Sequence, residues 1–305
     1  MSIMRRLFIL PLLGIAALAL TGCEKPEFTA PSFIHLDAIV LQSNGNHLLF
    51  DDPGMLTSDV VATYVVVHRP GAGKVDTIGL FELPFTAPIL YEGELDYIEF
   101  YPAIQQSGSS RALPFYTFYH KIRHEGGRLT VGDTLDFGTD TTTYNLVRED
   151  LRIFVPFEPP ASDIYFDSVM QWATGATTDA CTGQGYGYVH VPADRSYVNF
   201  ALEPTITVTD PSKIVYMELD TRSDMDFEIY MHSRYDSGGA IDKQSIMVVR
   251  KSSTWKHLYI NMGKTWAYFH HYKDFTLSFS ALNGDGKEGD IRLDNVRIVT
   301  TSVAL

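Results

Sequence analysis

Short runs of β-branched and aromatic residues, separated by turn-forming residues, dominate the first half of the chain. Residues 59–69 are the clearest of these runs. The same pattern predicts strands at residues 32–42, 76–83, 95–102 and 114–122. No helical period of about 12 residues or more accompanies them. Seven or so short strands over about 120 residues predict an immunoglobulin-like β-sandwich at residues 32–147.

The second half repeats this pattern at a wider spacing. Strands are expected at residues 196–201, 213–220, 227–233, 245–250, 255–261, 275–281 and 290–298. A spacing of about 10–17 residues is typical of a jelly roll of two facing sheets, here residues 163–305. Trp255 is expected to begin a strand and to pack in the core. The sequence therefore predicts an all-β chain, with an immunoglobulin-like β-sandwich followed by a jelly-roll β-sandwich.

Proline marks the boundary between the two halves. Residues 148–162 include Pro156, Pro159 and Pro160, and proline lacks the N–H group that a central strand requires. We therefore expect a Pro-rich, semi-rigid linker at residues 148–162.

The N-terminus has the layout of an export signal. Arg5 and Arg6 precede an apolar run at residues 7–20, which is shorter than the roughly 20 residues that span a bilayer. The run ends in Leu20-Thr21-Gly22-Cys23, which closely resembles the bacterial lipobox. This resemblance implies that the signal peptide, residues 1–22, is cleaved and that Cys23 carries the diacylglycerol and palmitate chains. Residues 23–31 would form a tether, held at the membrane by two or more acyl chains.

The residue after Cys23 bears on the destination of the lipoprotein. Glu24, not Asp, follows the cysteine, so the usual inner-membrane retention signal is missing. We therefore expect a lipid-anchored outer-membrane protein. The leaflet stays open, and the cell surface is one of its two possibilities.

The charge balance narrows the choice of partner. The chain has 37 acidic and 24 basic residues, a net charge of −13. An acidic surface repels phosphate backbones, which argues against nucleic-acid binding and leaves membrane attachment to the lipid. Once Cys23 is acylated, Cys181 has no partner. No histidine or basic residue is adjacent to Cys181 in sequence to activate it, so an inert thiol is expected.

Two regions resemble known families. Residues 79–84 (GLFELP), 101–104 (YPAI) and 111–116 (RALPFY) resemble the N-terminal domain of a group of Bacteroidota outer-membrane lipoproteins. Residues 289–299, with the pair Asp294-Asn295, are similar to the final strand of carbohydrate-binding jelly-roll modules. The resemblance implies binding of a glycan or a partner protein, and it brings no catalytic chemistry.

Two aromatic clusters are candidate ligand contacts, because the C–H faces of sugar rings stack on aromatic rings. The first comprises Trp266, Tyr268, His270 and Tyr272, and the second comprises Tyr186 and Tyr188. Packing of these rings inside the protein is the alternative for both clusters.

Metal and catalytic sites are only weakly indicated. Asn283, Asp285, Asp290 and Asp294 could supply oxygen ligands to a structural calcium ion. However, Lys287 occupies a position where a further ligand is expected. No other cofactor is expected.

One strand has the alternation of acids found in some glycosidases. Alternation would place Glu218 and Asp220 on one face of a strand, as a retaining glycosidase requires. Ser223 stands where the next acid would be needed, so no catalytic residue is assigned.

The sequence thus indicates a non-enzymatic, lipid-anchored cell-envelope protein that binds a glycan or an envelope protein through its jelly roll. One alternative is a structural accessory subunit of an outer-membrane complex. A second alternative is a glycan-processing enzyme that uses Glu218.

The lipid anchor can be tested directly. In Cys23→Ser the acyl acceptor is lost, so the precursor should remain uncleaved and without lipid. Mass spectrometry of the membrane fraction measures both properties. A wild-type chain that is cleaved normally but carries no lipid would contradict the prediction.

Overall fold

A computed structural model describes most of the chain beyond the predicted signal. The described residues are 30–45, 51–71, 75–108, 113–158, 171–174, 179–195, 197–202, 206–207, 210, 213–233, 242–269, 275–284 and 286–301. Cys23 and residues 1–22 lie outside them. Strands in several sheets dominate the described residues, which confirms the predicted all-β class. No helix among them is long and apolar enough to span a membrane.

The N-terminal unit is a β-sandwich. Its strands are β1 (Ser32–Leu36), β2 (Ala38–Leu41), β3 (Val60–His68), β4 (Val75–Glu82), β5 (Phe85–Ile89), β6 (Gly93–Glu94), β7 (Tyr97–Ile104), β8 (Ile122–Glu125), β9 (Arg128–Leu129), β10 (Thr134–Asp136) and β11 (Thr139–Thr142). A four-stranded sheet, β4-β3-β7-β8, packs on a three-stranded sheet, β10-β1-β5. Ile34 of β1 and Val65 of β3 share one hydrophobic core, which shows that the sheets face each other.

The C-terminal unit is a second β-sandwich. Its strands are β12 (Leu151–Val155), β13 (Gln171–Thr174), β14 (Gly185–Val191), β15 (Tyr197–Ala201), β16 (Val215–Ser223), β17 (Phe227–Ser233), β18 (Asp242–Val249), β19 (Ser252–Asn261), β20 (Phe275–Leu282) and β21 (Gly289–Thr300). A six-stranded sheet has the order β13-β14-β21-β16-β19, with β12 also paired to β21. A four-stranded sheet, β15-β20-β17-β18, faces it across the core.

The predicted linker at residues 148–162 contains a strand. A 3₁₀ helix at Arg148–Asp150 leads into β12, which pairs antiparallel with β21. Ile153, Val155 and Phe157 are buried in the core of the second sandwich. The linker prediction was therefore wrong for residues 151–155. The prolines follow β12 and take no hydrogen-bonding position within it, so they limit its length without preventing it.

One further local prediction fails. Residues 114–122 form no strand before Ile122, and their β-type pairing in the described residues consists of isolated bridges at Phe115 and Tyr119. The aromatic segment after β19 begins as a short helix, α1 (Gly263–Phe269). The immunoglobulin-like assignment of the first sandwich stays a prediction.

The two sandwiches share a third core. Tyr116 and Tyr144 of the N-terminal unit pack against Tyr216, Tyr259 and Val299 of the C-terminal unit. The N-terminal unit also adds chain to the edge of the six-stranded sheet.

That added chain runs parallel to β19. The backbone N–H of Ser107 donates to the carbonyl oxygen of Tyr259 at 2.7 Å, beside a bridge between Gln106 and Tyr259. Backbone pairing and aromatic packing together join the units.

A close backbone approach at Gly54 also holds the units together. Gly54 lies in a 3₁₀ helix, Pro53–Leu56, and a Cβ there would lie 2.1 Å from Oδ1 of Asn295. Asn295 cannot retreat easily, because its amide nitrogen donates to Asp220 at 2.8 Å and to Thr182 at 3.0 Å.

Gly54→Ala should therefore destabilise the folded protein. We expect the free energy of unfolding to fall by about 1–3 kcal/mol, the usual penalty for overpacking a closed contact. Chemical denaturation measures this change. Gly284→Ala is the matched control, because a Cβ at Gly284 meets no atom within 4 Å. Equal stability of the two variants would contradict the close approach.

Candidate functional site

One face of the six-stranded sheet carries polar and aromatic side chains in cross-strand rows. In β19, Leu258 and Ile260 face the core, so His257 and Tyr259 lie on the opposite face. Strand pairing then defines four rows on that opposite face. They are His190–Asp290, Tyr188–Arg292–Arg222–Trp255, Asp294–Asp220–His257 and Arg297–Glu218–Tyr259, where Trp255 is placed by its contact with Arg222.

The last of these rows is sealed beneath the N-terminal unit. Glu218 and Arg297 are both fully buried, and Nη2 of Arg297 lies 2.6 Å from Oε2 of Glu218. The hydroxyl groups of Tyr116 and Tyr144 donate hydrogen bonds to the Glu218 carboxylate at 2.5 and 2.8 Å. The first sandwich thereby supplies two of the donors that the buried carboxylate needs.

Arg297 reaches the N-terminal unit as well. Its guanidinium donates to the carbonyl oxygens of Gly54 and Thr57 at 2.5 and 2.7 Å. Burial alone raises the pKa of Glu218, but Arg297 and then His257 outweigh it and lower this pKa to about 2. The pair is therefore ionised at neutral pH, with partners from both sandwiches.

His257 connects the buried row to the next one. Its Nε2 lies 3.2 Å from Glu218 and its Nδ1 lies 2.9 Å from Asp220. Burial lowers the pKa of His257, but the charge of Asp220 and the hydrogen bonds to both acids raise it overall. The stabilisation from the charged imidazole is full below the unfolded value of 6.5, and it is lost as the pH rises through the folded-state pKa.

Asp294 lies at a position of β21 that pairs with no strand on one side. The neighbouring strands β14 and β12 pair with residues 289–293 and 296–299, which leaves Asp294 and Asn295 without a strand on that side. The Asp294 carboxylate accepts from the backbone N–H groups of Cys181 and Thr182 at 3.1 and 3.3 Å. Burial nevertheless raises the pKa of Asp294 to about 8.

The Cys181 thiol is beside the same acids. Burial raises the pKa of this thiol, and the charges of Asp220 and Asp294 raise it further. These surroundings oppose formation of a thiolate, as expected for an inert cysteine.

The row that ends in Trp255 stays partly open to solvent. Trp255 is half-buried, and the Arg222 guanidinium lies 5.5 Å from the centre of its ring. The indole N–H donates to the carbonyl oxygen of Asp179 at 3.0 Å. Tyr186 approaches Trp255 edge-on, with ring centres 6.2 Å apart.

The contact between Tyr186 and Trp255 indicates that the side chains lean together over this face. Strands β14 and β19 are separated by two strands, and three inter-strand steps span about 14 Å. Rings only 6.2 Å apart must therefore reach inwards from both sides. The open part of the face is a shallow aromatic and charged surface.

The first predicted aromatic cluster does not form one surface. Trp266 is 1% exposed, and its indole N–H donates to the carbonyl oxygen of Asp210. The ring thus packs in the core and is not a stacking platform. Tyr268 is 47% exposed on α1, and its hydroxyl donates to Asp242. His270 and Tyr272 lie outside the described residues.

The second predicted cluster lies on the candidate surface. Tyr186 and Tyr188 are two residues apart in β14 and so share the outer face of the sheet, Tyr186 buried and Tyr188 half-buried. Sequence reasoning missed Arg222, Arg292 and Trp255. Trp255 was expected in the core, but the alternation in β19 places it opposite Leu258. Counting back from the apolar pair Leu258 and Ile260 could have revealed this.

Three of the four weak calcium candidates lie in the described residues, and each has protein partners of its own. Asn283 donates to the carbonyl oxygen of Pro192 and accepts from the backbone N–H of Lys287. Asp290 pairs with His190 and Arg292, each at 2.9 Å. Asp294 binds backbone amides as described above, and Asp285 lies outside the described residues. Within the described part of the chain, no cluster of three or more His, Cys, Asp or Glu side chains could hold a metal ion.

The pair of acids considered for glycoside hydrolysis does share a face, as the alternation predicted. Both side chains contact His257. However, Glu218 is 0% and Asp220 is 2% exposed, and protein donors already occupy Glu218. This geometry does not allow either carboxylate to reach a sugar.

Comparisons with known proteins give only distant likenesses. No protein-family model matches the sequence, and a search of curated proteins finds no match. One similar solved structure comes from work on the promiscuous specificity of carbohydrate-binding modules of the β-sandwich superfamily. It has 12% identity and a TM-score of 0.39, over 90% of this chain and 100% of the other. A family 11 carbohydrate-binding module from Clostridium thermocellum, in complex with a β-1,3-1,4-mixed-linked tetrasaccharide, has 12% identity and a TM-score of 0.34 over 48% and 94%.

A third structure is a xylan-binding domain of family 22. It has 11% identity and a TM-score of 0.35, over 52% of this chain and 100% of the other. At this distance the three structures assign no ligand to the present chain.

The buried ion pair can be tested with Glu218→Gln. The substitution leaves Arg297 buried without a counter-charge. It also places an amide N–H₂ group, which cannot accept, opposite groups that donate hydrogen bonds to Glu218. We expect the free energy of unfolding to fall by about 3–5 kcal/mol at pH 7, as when one partner of a buried pair is removed. Glu125→Gln is the control, because its pair with Arg123 is exposed and should contribute less than about 1 kcal/mol.

The pH dependence of the same variant provides a second check. A carboxylate whose pKa is lowered to about 2 stabilises the fold above its unfolded value of 4.5, and this is lost as the pH falls towards 2. The difference between wild type and Glu218→Gln should therefore shrink below pH 4.5. A difference that stays constant down to pH 2 would exclude an ionised Glu218.

Proposed function

We propose that this chain is a non-catalytic, lipid-anchored glycan-binding protein of the cell envelope. Its glycan site is the row Tyr188–Arg292–Arg222–Trp255, hereafter the Trp255 row. The single observation that carries the proposal is a partly exposed tryptophan, Trp255, beside the charged pair Arg222–Asp179 on the outer face of the sheet. The lipid on Cys23 attaches the protein to the outer membrane.

The aromatic part of the row suits a sugar ring. Indole and phenol rings bury a large apolar area, and the C–H face of a pyranose is apolar. Trp255 is held from two sides, by Arg222 at 5.5 Å and by the edge of Tyr186 at 6.2 Å. A ring held in this way loses little side-chain entropy when a ligand binds.

The polar part of the row offers both donors and acceptors. Arg222 lies 3.4 Å from Asp179, and Arg292 lies 2.9 Å from Asp290 and 3.5 Å from Asp224. Neighbouring sugar hydroxyls each donate and accept, so guanidinium and carboxylate groups side by side can bind them in pairs. The mixture of charges favours a neutral glycan at this row.

The proposal includes no catalysis because the carboxylates on this face are either buried or paired with arginine. Glu218 and Asp220 share the face of the row but are buried, Glu218 beneath Tyr116 and Tyr144 of the N-terminal unit and Asp220 against His257 and Asn295. The acids nearer to solvent, Asp179 and Asp290, are engaged with Arg222 and Arg292. This arrangement supports binding and not bond cleavage.

Trp255→Ala tests the proposal. The full-length protein in detergent should bind specific neutral oligosaccharides on a glycan array, and the variant should lose roughly tenfold or more in affinity, about 1.4 kcal/mol, as the stacking surface disappears. Tyr268→Ala is the matched control, because Tyr268 is an exposed ring on α1, away from this row. Circular dichroism should show that both variants are folded.

Two results would overturn the glycan assignment. One is the absence of any glycan signal from the folded wild type. The other is equal binding by wild type and Trp255→Ala. Stable co-purification of an envelope protein after cross-linking, without sugar affinity, would instead favour the accessory-subunit alternative.

A further inference from the structure

The N-terminal unit has an aromatic groove of its own, which the Trp255 row does not include. The groove has a volume of about 320 Å³, which matches the lower end of the size range of small-molecule pockets. Tyr101 and Pro102 of β7 form one side, and Phe115 and Thr117 of the next segment form the other. The segments 101–104 and 113–116, separate in sequence, thus come together here.

The backbone explains why Phe115 stands at the surface. Residues 113–121 cross the end of β7 through single contacts, in which Tyr116 N–H donates to the carbonyl of Pro102 at 2.7 Å and Ile104 N–H donates to the carbonyl of Pro114 at 3.1 Å. Tyr116 is turned inwards to Glu218, and its neighbour Phe115 is turned outwards. Phe115 is 51% exposed, and Tyr64 supports it edge-on at 6.3 Å.

The rim of the groove is polar and carries positive charge. Lys121 is 48% exposed and lies 5.5 Å from the centre of the Tyr101 ring. The exposed side chains of His120 and Asn145 make no hydrogen bond with any other residue that the structure describes, so their polar groups are available to a ligand.

Acidic side chains are missing from the described lining of the groove. This is unusual in a chain with 37 acidic and 24 basic residues. The nearby acid Glu99 is 3% exposed, and Tyr101 and Lys121 already bind it at 2.9 and 2.6 Å. An ammonium group has three N–H donors, so Lys121 retains donors for a second anion.

We propose that this groove, hereafter the Phe115 groove, binds a carboxylate-bearing pyranose, that is, a uronic acid residue of an acidic glycan. The Phe115 and Tyr101 rings contact the apolar face of the sugar. Lys121 binds the carboxylate, while His120 and Asn145 bind hydroxyl groups. The groove offers an exposed ammonium group whose acidic partner, Glu99, is buried, whereas in the Trp255 row the acids beside the arginines, Asp179 and Asp224, are exposed and would repel such a ligand.

The test uses methyl β-D-glucuronide as probe and methyl β-D-glucoside as its neutral counterpart. Saturation-transfer NMR and titration on the full-length protein measure contact and affinity. Wild type should bind the glucuronide more tightly than the glucoside, and the preference should weaken with added salt. Phe115→Ala and Lys121→Met should each weaken glucuronide binding by about tenfold.

Controls separate this site from the Trp255 row. Leu90→Ala removes another exposed apolar side chain of the same unit, 79% exposed, and should leave binding unchanged. Trp255→Ala should also bind the glucuronide normally. Since Phe115 is half-exposed, its truncation should leave the protein folded, which thermal unfolding would verify.

Each opposing result has a definite meaning. Glucuronide binding that is lost in Trp255→Ala but kept in Phe115→Ala would overturn the groove and support the row. Equal binding of glucuronide and glucoside would overturn the acidic ligand class. No binding by the folded wild type, or binding of a proline-rich peptide in place of the glucuronide, would overturn the sugar site altogether.

Discussion

The ion pair between Glu218 and Arg297 is the interaction on which the arrangement of the two sandwiches depends. Two unit charges removed from water require many hydrogen-bond partners, and without them the burial would be strongly unfavourable. The C-terminal sandwich supplies His257, and the N-terminal unit supplies Tyr116, Tyr144 and the carbonyl groups near Gly54. Neither unit can satisfy the pair alone. The folded state of one therefore depends on the position of the other.

This dependence divides the outer face of the six-stranded sheet into two parts with different properties. The part under the N-terminal unit holds the Glu218 carboxylate, which is closed to solvent and accepts hydrogen bonds from Tyr116, Tyr144 and Arg297. The part beyond His257 carries Trp255 and the two arginines, partly exposed. Of the two acids that alternate on this strand face, Glu218 thus joins the two sandwiches, and stacking and hydrogen-bonding groups remain open.

Local pattern was sufficient to predict much of the fold. The strand expected at residues 227–233 is β17, and the strands at 275–281 and 290–298 differ from β20 and β21 by only a few terminal residues. Alternation also placed Glu218 and Asp220 on one face. Predictions failed where a long-range partner decides the outcome. Strand β12 exists because β21 offers it an edge, and Phe115 is exposed because Tyr116 is bound by a glutamate 102 residues away.

The aromatic residues show most clearly what a single sequence can reveal about a site. Trp255 has polar neighbours in the sequence, Thr254 and Lys256, whereas Trp266 is followed by Ala267, Tyr268 and Phe269. Composition alone therefore ranks Trp266 higher. The decisive information is the phase of each residue relative to the core. Trp266 follows β19 on a short helix whose buried side includes Phe269, whereas Trp255 lies on the strand face opposite Leu258.

The face on which each side chain lies can be read from a sequence once a strand is assigned. Side chains alternate between the two faces, so two core residues identify the face of every other residue in the strand. Whether another part of the protein covers a given strand position cannot be read from the sequence in this way. Trp255 and Tyr259 share one face of β19, yet only Tyr259 is buried, because it packs against Tyr116 and Tyr119 of the N-terminal unit. Which of two equivalent strand positions stays open to solvent is therefore set by the other sandwich, whose position depends on the Glu218–Arg297 pair.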